Sequence, residues 1–261
     1  MKKAIKLVIV YIVMQLLALL TVIPIDLLIQ FFVQHKPITA DTTLSSWTTL
    51  TVMFLGFAYM ALYLCQKHYL DDDGRIYSPT SPTFLLLSLL AGLSAIYLVD
   101  LLTSFLSFLP DINASTFSLL ESSLLGVLCI VVAGPIIEEL LFRGAITREL
   151  LRRYSPRVAI IWSAVLFGVA HINPTQVVPA VLIGLLLAYV FVKTHSLIPG
   201  MLIHIVNNAL SVGLSILFPE ADSLTGLLSP VRMWAGAVIA IVVLVVTLRK
   251  IARYRTPDLA L

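Results

Sequence analysis

Gly134-Pro-Ile-Ile-Glu-Glu-Leu-Leu-Phe-Arg143 sets two adjacent glutamates, Glu138 and Glu139, inside an apolar stretch long enough to cross a membrane. A carboxylate at that depth costs about 2.5–3.5 kcal/mol on insertion scales, so it marks a site facing the protein interior. Arg143 follows Glu139 by four residues, and the two share a helical face. The spacing predicts a buried ion pair between them. Glu138 is left without a local cation, which makes it the candidate for chemistry.

The surrounding composition agrees with a membrane setting. Of 261 residues, 59% are hydrophobic and only 12% charged, and mean hydropathy is +1.02. Soluble domains carry about 25% charged residues, so the chain reads as an all-α, polytopic membrane protein. Cys65 and Cys129 fall at or within apolar spans, with neither a disulfide framework nor metal-ligand spacing. The N-terminal Met1-Lys-Lys-Ala-Ile-Lys6 leads into an apolar run to about Val33, longer than the roughly 7–15 residues of a signal-peptide core. A retained first span is the expectation.

Apolar runs predict eight transmembrane helices near 7–32, 47–65, 83–108, 117–143, 157–172, 176–193, 197–217 and 231–248. The fifth is short and pairs with the fourth around a polar, basic tip, Thr147 to Arg157. Pro110-Asp-Ile-Asn113, Asn173-Pro174, Asp71 to Arg75 and Pro219 to Asp222 read as turns. Pro24, Pro135, Pro179 and Pro199 are expected to bend helices. With the N-terminus inside, only Lys36 and Arg232 of the 17 Lys and Arg fall on the far side. That asymmetry predicts cytoplasmic termini.

Two further polar pairs occur in later spans: Phe167-Gly-Val-Ala-His171 and His204-Ile-Val-Asn-Asn208. His204 and Asn208 lie one helical turn apart on one face. At 1.5 Å per residue, Glu138 and His171 are both roughly 21–22 Å from the fourth–fifth hairpin tip, and His204 is roughly 13 Å from its own turn at His195. If the basic hairpin projects two turns into the cytosol, the levels agree and one cavity could take all three motifs. Taken singly, an intramembrane histidine often only bonds one helix to another. Asn207 and Asn208 point in different directions, so at least one of them bonds locally. Asp26, Asp100 and Glu121 lie nearer span ends, where headgroups or water reach them. His35, His68 and His195 fall in loops.

In this order, Glu138-Glu139-x-x-x-Arg143, Phe167-x-x-x-His171 and His204-x-x-x-Asn208 resemble the three motifs of the CAAX prenyl endopeptidase family, whose prokaryotic members include bacteriocin-processing and self-immunity proteins. The resemblance covers about residues 134–215. It implies an intramembrane endopeptidase acting on a membrane-associated or lipidated peptide, with the bilayer as its other partner and no nucleic acid. It also implies that Glu138 and His171 activate a water, that His204 and Asn208 stabilise the oxyanion, and that Glu139 and Arg143 support them. The chain would then divide into a three-span N-terminal region (1–116), a four-span catalytic core (117–217) and a C-terminal span with a basic tail (218–261).

Two rival readings stand beside this one. Glu138, His171 and His204 form a His₂Glu set of the kind that holds catalytic zinc, although no His-Glu-x-x-His signature is present. The expectation is no cofactor, with zinc as the alternative. A non-catalytic immunity protein, a membrane scaffold or a transporter could also use intramembrane acids and histidines; transporters commonly carry internal repeats, and none is evident.

Overall fold

The computed structural model describes residues 1–35, 37, 44–71, 75–77, 80–221 and 223–254. The described chain is helical and contains no strand. Its helices are α1 (Lys2–Phe32), α2 (Ser46–Gln66), α3 (Pro82–Thr103), the short α4 (Ala114–Glu121), α5 (Leu124–Leu151), α6 (Pro156–Ala170), α7 (Pro174–Thr194), α8 (Ile198–Leu217) and α9 (Pro230–Arg253). Seven of these are long and apolar enough to cross a membrane, and α6 is a shorter apolar helix of 15 residues. The chain is a multi-pass integral membrane protein.

Local sequence sets many of the helix starts. Ser45, Ser81 and Ser123 are N-caps whose hydroxyls accept from the backbone N–H groups of Thr48, Phe84 and Gly126. Pro82, Pro156, Pro174, Pro199 and Pro230 occupy first turns, where a missing N–H costs nothing. Pro199 was expected to bend its helix and instead opens α8. Pro24 and Pro179 do lie inside helices.

The predicted fourth span, 117–143, needs correction at both ends. The apolar run is broken at Ser122-Ser123, where α4 stops and Ser123 caps α5. At the other end the helix continues to Leu151, because Arg143 is satisfied within the protein and does not have to reach water. Thr147, Glu149 and Leu150 are buried, so the exposed part of the predicted tip is Arg152 to Arg157 and not the whole of Thr147 to Arg157.

Helix α5 is not a uniform α-helix. Cys129–Ala133 and Leu140–Thr147 are π-helical, on either side of Gly134–Glu139. Pro135 accounts for the first: it cannot donate to Val131, and the preceding ladder shifts so that Gly134 donates to Cys129 O. In the second, Thr147 Oγ donates to Phe142 O at 2.7 Å and meets Ser163 Oγ of α6 at 2.7 Å. Such π turns are frequent at functional sites, and these two bracket the glutamate pair.

The closest helix pairings are α6 with α7, α3 with α9, and α1 with α2. One buried cluster joins α1, α2, α5 and α6 through Leu7, Met60, Leu141, Phe142 and Phe167. A second joins α3, α7, α8 and α9 through Phe84, Ile183, Leu187, Ile203 and Ile251. Gly168 permits the tight approach of α6 to α7, since a Cβ there would lie 2.7 Å from the Val177 carbonyl.

The basic segments gather at one end of the bundle. Buried Glu149 receives Lys3 at 3.4 Å, Arg152 at 3.2 Å and Arg153 at 3.6 Å. Arg148 donates to the Asp71 carbonyl, and Lys193 to that of Ala252. The start of α1 and the ends of α2, α5, α7 and α9 therefore share a side. Lys36, Asp72 to Gly74, Asp222 and the tail from Arg255 lie outside the described residues. Cys65 and Cys129 are free thiols.

Candidate active site

Glu139 and Arg143 form the fixed point of the site. Both are fully buried, and Arg143 Nη1 donates to Glu139 Oε1 at 2.8 Å. A second guanidinium nitrogen donates to the Gly184 carbonyl of α7 at 3.2 Å. The guanidinium carbon lies 4.5 Å from the centre of the Phe167 ring, a cation–π contact strengthened by the dry surroundings. Gly200, in the first turn of α8, allows this pair to sit deep: a Cβ there would come within 2.9 Å of Glu139 Oε2.

His204 joins the two glutamates. Its Nδ1 is 3.1 Å from Glu139 Oε1, and its Nε2 is 3.5 Å from Glu138 Oε2. Glu138, which lacked a cation on its own helix, thus meets an imidazole from α8. The depth reckoned from helical rise therefore holds for these two residues. An ionised carboxylate only accepts, and a neutral imidazole carries a single N–H. One hydrogen bond, to Glu139, and one looser contact, to Glu138, thus meet on the same ring. Side-chain exposure is 4% for His204 and 17% for Glu138, so Glu138 is the member that reaches open space.

Phe167 organises the remaining polar groups. The rings of His171 and His204 both meet it edge-to-face, with centroids at 4.8 and 5.5 Å. His171 Nδ1 lies 2.9 Å from the Phe167 carbonyl. A carbonyl only accepts, so Nδ1 carries the hydrogen and the lone pair of the neutral ring is at Nε2. Asn208 donates to the Ile130 carbonyl at 3.0 Å, against the first π segment, and its oxygen accepts from Asn207 at 3.1 Å. Glu138, Glu139, Arg143 and His204 thus form one contact cluster, His171 stands across Phe167, and Asn208 is a turn further along α8.

Tyr11 is a member that the motifs did not reveal. Its phenol, one turn from Gln15 on α1, interacts with the Glu138 carboxylate, and its ring meets Phe142 edge-on at 6.4 Å. Two polar residues at i,i+4 spacing within the otherwise apolar stretch from Leu7 to Leu20 were the available signal. Among the described residues, no three His, Cys, Asp or Glu side chains are arranged to hold a metal ion.

Neither the curated proteins nor the solved structures contain a match to this chain. Residues 120–210, from the end of α4 into α8, match the family model described as Rce1-like, type II CAAX prenyl endopeptidase. That stretch contains every member of the cluster except Tyr11, and over it the chain is similar to that family.

Proposed function

We propose that the chain hydrolyses a peptide bond near the C-terminus of a membrane-associated protein, of the prenylated CAAX type, with a water activated by Glu138 and His171. The contact of His204 with both glutamates is the observation that carries this reading, because it sets an imidazole, an acid–base group, beside the proposed base in a buried site. In the proposed step, Glu138 takes one proton of the water while the lone pair of His171 Nε2 orients the other. The water oxygen bonds to the scissile carbonyl carbon, and the carbonyl electrons move onto its oxygen. Once Glu138 is protonated it no longer attracts the His204 N–H, which turns to the oxyanion together with the second N–H of Asn208. Collapse breaks the C–N bond, and the proton on Glu138 passes to the departing nitrogen. The second proton of the water leaves the new carboxyl group for the amine, so the products are a carboxylate and an ammonium.

The test is fragment release from prenylated and unprenylated peptides in proteoliposomes. Cleavage by wild type and none by Glu138→Ala is the expected result; equal cleavage by both would overturn the reading.

Catalysis without a resident metal is part of the proposal. A Glu/His pair can generate the nucleophile, and among the described residues no three His, Cys, Asp or Glu side chains are arranged to hold a metal ion. Glu138, His171 and His204 would be the ligands of a zinc enzyme. Metal analysis of active, purified protein is expected to find no stoichiometric zinc. Zinc that is lost with activity on chelation and restored together with it would overturn the metal-free route.

Both termini and the α5–α6 tip are proposed to be cytoplasmic, which the clustering of basic residues at one end supports. Arg153→Cys, with Cys65 and Cys129 replaced, should react with an impermeant maleimide only after permeabilisation. Labelling in intact cells would reverse the orientation.

A further inference from the structure

We infer that Asp111 and Asn173 form a clamp that positions His171 from the loop between α3 and α4. The inference rests on the proposal that His171 serves the reaction.

His171 is the C-cap of α6, and the chain turns into α7 within two residues. Ile172 takes the left-handed conformation, with φ 62°, and its side chain is exposed. A β-branched residue is a true outlier there, and it persists only where surrounding contacts over-determine it. Asn173 provides those contacts. It is fully buried, its N–H donates to the His171 carbonyl at 2.6 Å, and its own carbonyl accepts from Gln176 and Val177 to begin α7.

The side chain of Asn173 is the telling feature. An asparagine at an N-cap ordinarily turns its oxygen back onto its own helix, and Asn173 makes no such bond. It turns away, donating to Asp111 Oδ1 at 2.8 Å and accepting from Ile112 N at 3.2 Å. The same Asp111 oxygen accepts from Asn113 N at 2.9 Å, which stiffens the loop. A rigid connection thus runs from Asp111 through Asn173 to the backbone of His171, whose ring is already fixed on Phe167. Asp111 lies outside the matched residues 120–210. The clamp is therefore a feature of this chain beyond the three motifs.

Asn173→Asp would set two carboxylates against each other, and the reciprocal pair Asp111→Asn/Asn173→Asp would restore the hydrogen bond with donor and acceptor exchanged. Misplacing a reacting group by about 1 Å can cost on the order of 10²-fold in rate. The single variant is expected to lose kcat on that scale with KM unchanged, and the double variant to recover it. Should Asn173→Asp fail to fold, Asp111→Ala in the exposed loop is expected to show the same kcat loss. A second readout is independent of turnover: the rate of diethyl pyrocarbonate modification at His171, mapped by mass spectrometry, should change in the single variant and return in the double. An unchanged rate, or a double variant that regains thermal stability but neither kcat nor His171 reactivity, overturns the clamp. If Glu138→Gln cleaves normally, the reaction assignment falls, while the His171 reactivity still decides the clamp.

Discussion

Glu138→Gln is expected to give a folded protein that no longer cleaves, with kcat lower by about 10²–10⁴-fold, the range that general acid–base catalysis supplies. The substitution keeps side-chain volume and leaves His204 an amide partner in place of the carboxylate, 3.5 Å away in wild type. It removes the group that must hold the water's proton between attack and C–N cleavage. Glu139 cannot substitute: it is fully buried and already engaged by Arg143 and by His204 Nδ1. Thermal stability in detergent should stay close to wild type, because the buried pair beneath is untouched. Turnover near the wild-type value would remove Glu138 from the mechanism, whatever happens to KM. A collapse in stability accompanying the lost activity would instead make Glu138 a structural residue.

The Glu138 position was legible because the cost of a carboxylate in an apolar span is so large that its presence is informative by itself. The order and spacing of the three motifs were legible for a similar reason, since polar residues in an otherwise apolar chain stand out without any structure. What the sequence concealed depended on contacts between distant segments. The break at Glu121-Ser122-Ser123 is only three polar residues long between Leu119-Leu120 and Leu124-Leu125, so a hydropathy window carries across it. Arg143 was taken as a span end because it is charged. The Gly184 carbonyl and the Phe167 face that accommodate it lie 41 and 24 residues away in sequence, beyond any local pattern.

Asp111 and Asn173 illustrate the same limit. Both were correctly read as turn residues, but their mutual hydrogen bond spans 62 residues, and nothing local reveals it. The partner of Glu138 was hidden too. Helical rise put His204 at a suitable depth, yet depth does not say which helix faces which. Only the packing of α8 onto α5 turns His204 toward both carboxylates, and this close approach depends on Gly200. Tyr11 was overlooked for a different reason: α1 lies outside the motifs, so its i,i+4 pair with Gln15 was passed over as ordinary span composition.

Arg143→Ala should cost about 3–5 kcal/mol, the usual penalty for breaking one side of a buried ion pair, and should abolish cleavage as well. Three contacts go at once: the 2.8 Å bond to Glu139, the donor to the Gly184 carbonyl and the cation over Phe167. Glu139 is then a fully buried carboxylate with only His204 to compensate it, and His204 is drawn to it at the expense of Glu138. The loss should appear as a marked fall in melting temperature in detergent and as lower yield of folded protein. A companion variant separates stability from chemistry. Replacing both members with neutral groups of similar size, Glu139→Gln with Arg143→Met, leaves no uncompensated buried charge, and such exchanges are often neutral or stabilising. That double variant should regain most of the melting temperature and remain inactive, because His204 Nδ1 no longer faces a carboxylate that orients it. If Arg143→Ala melts like wild type, the pair contributes nothing to the fold. If the double variant regains activity along with stability, Glu139 and Arg143 hold the helices together without orienting His204 for the reaction.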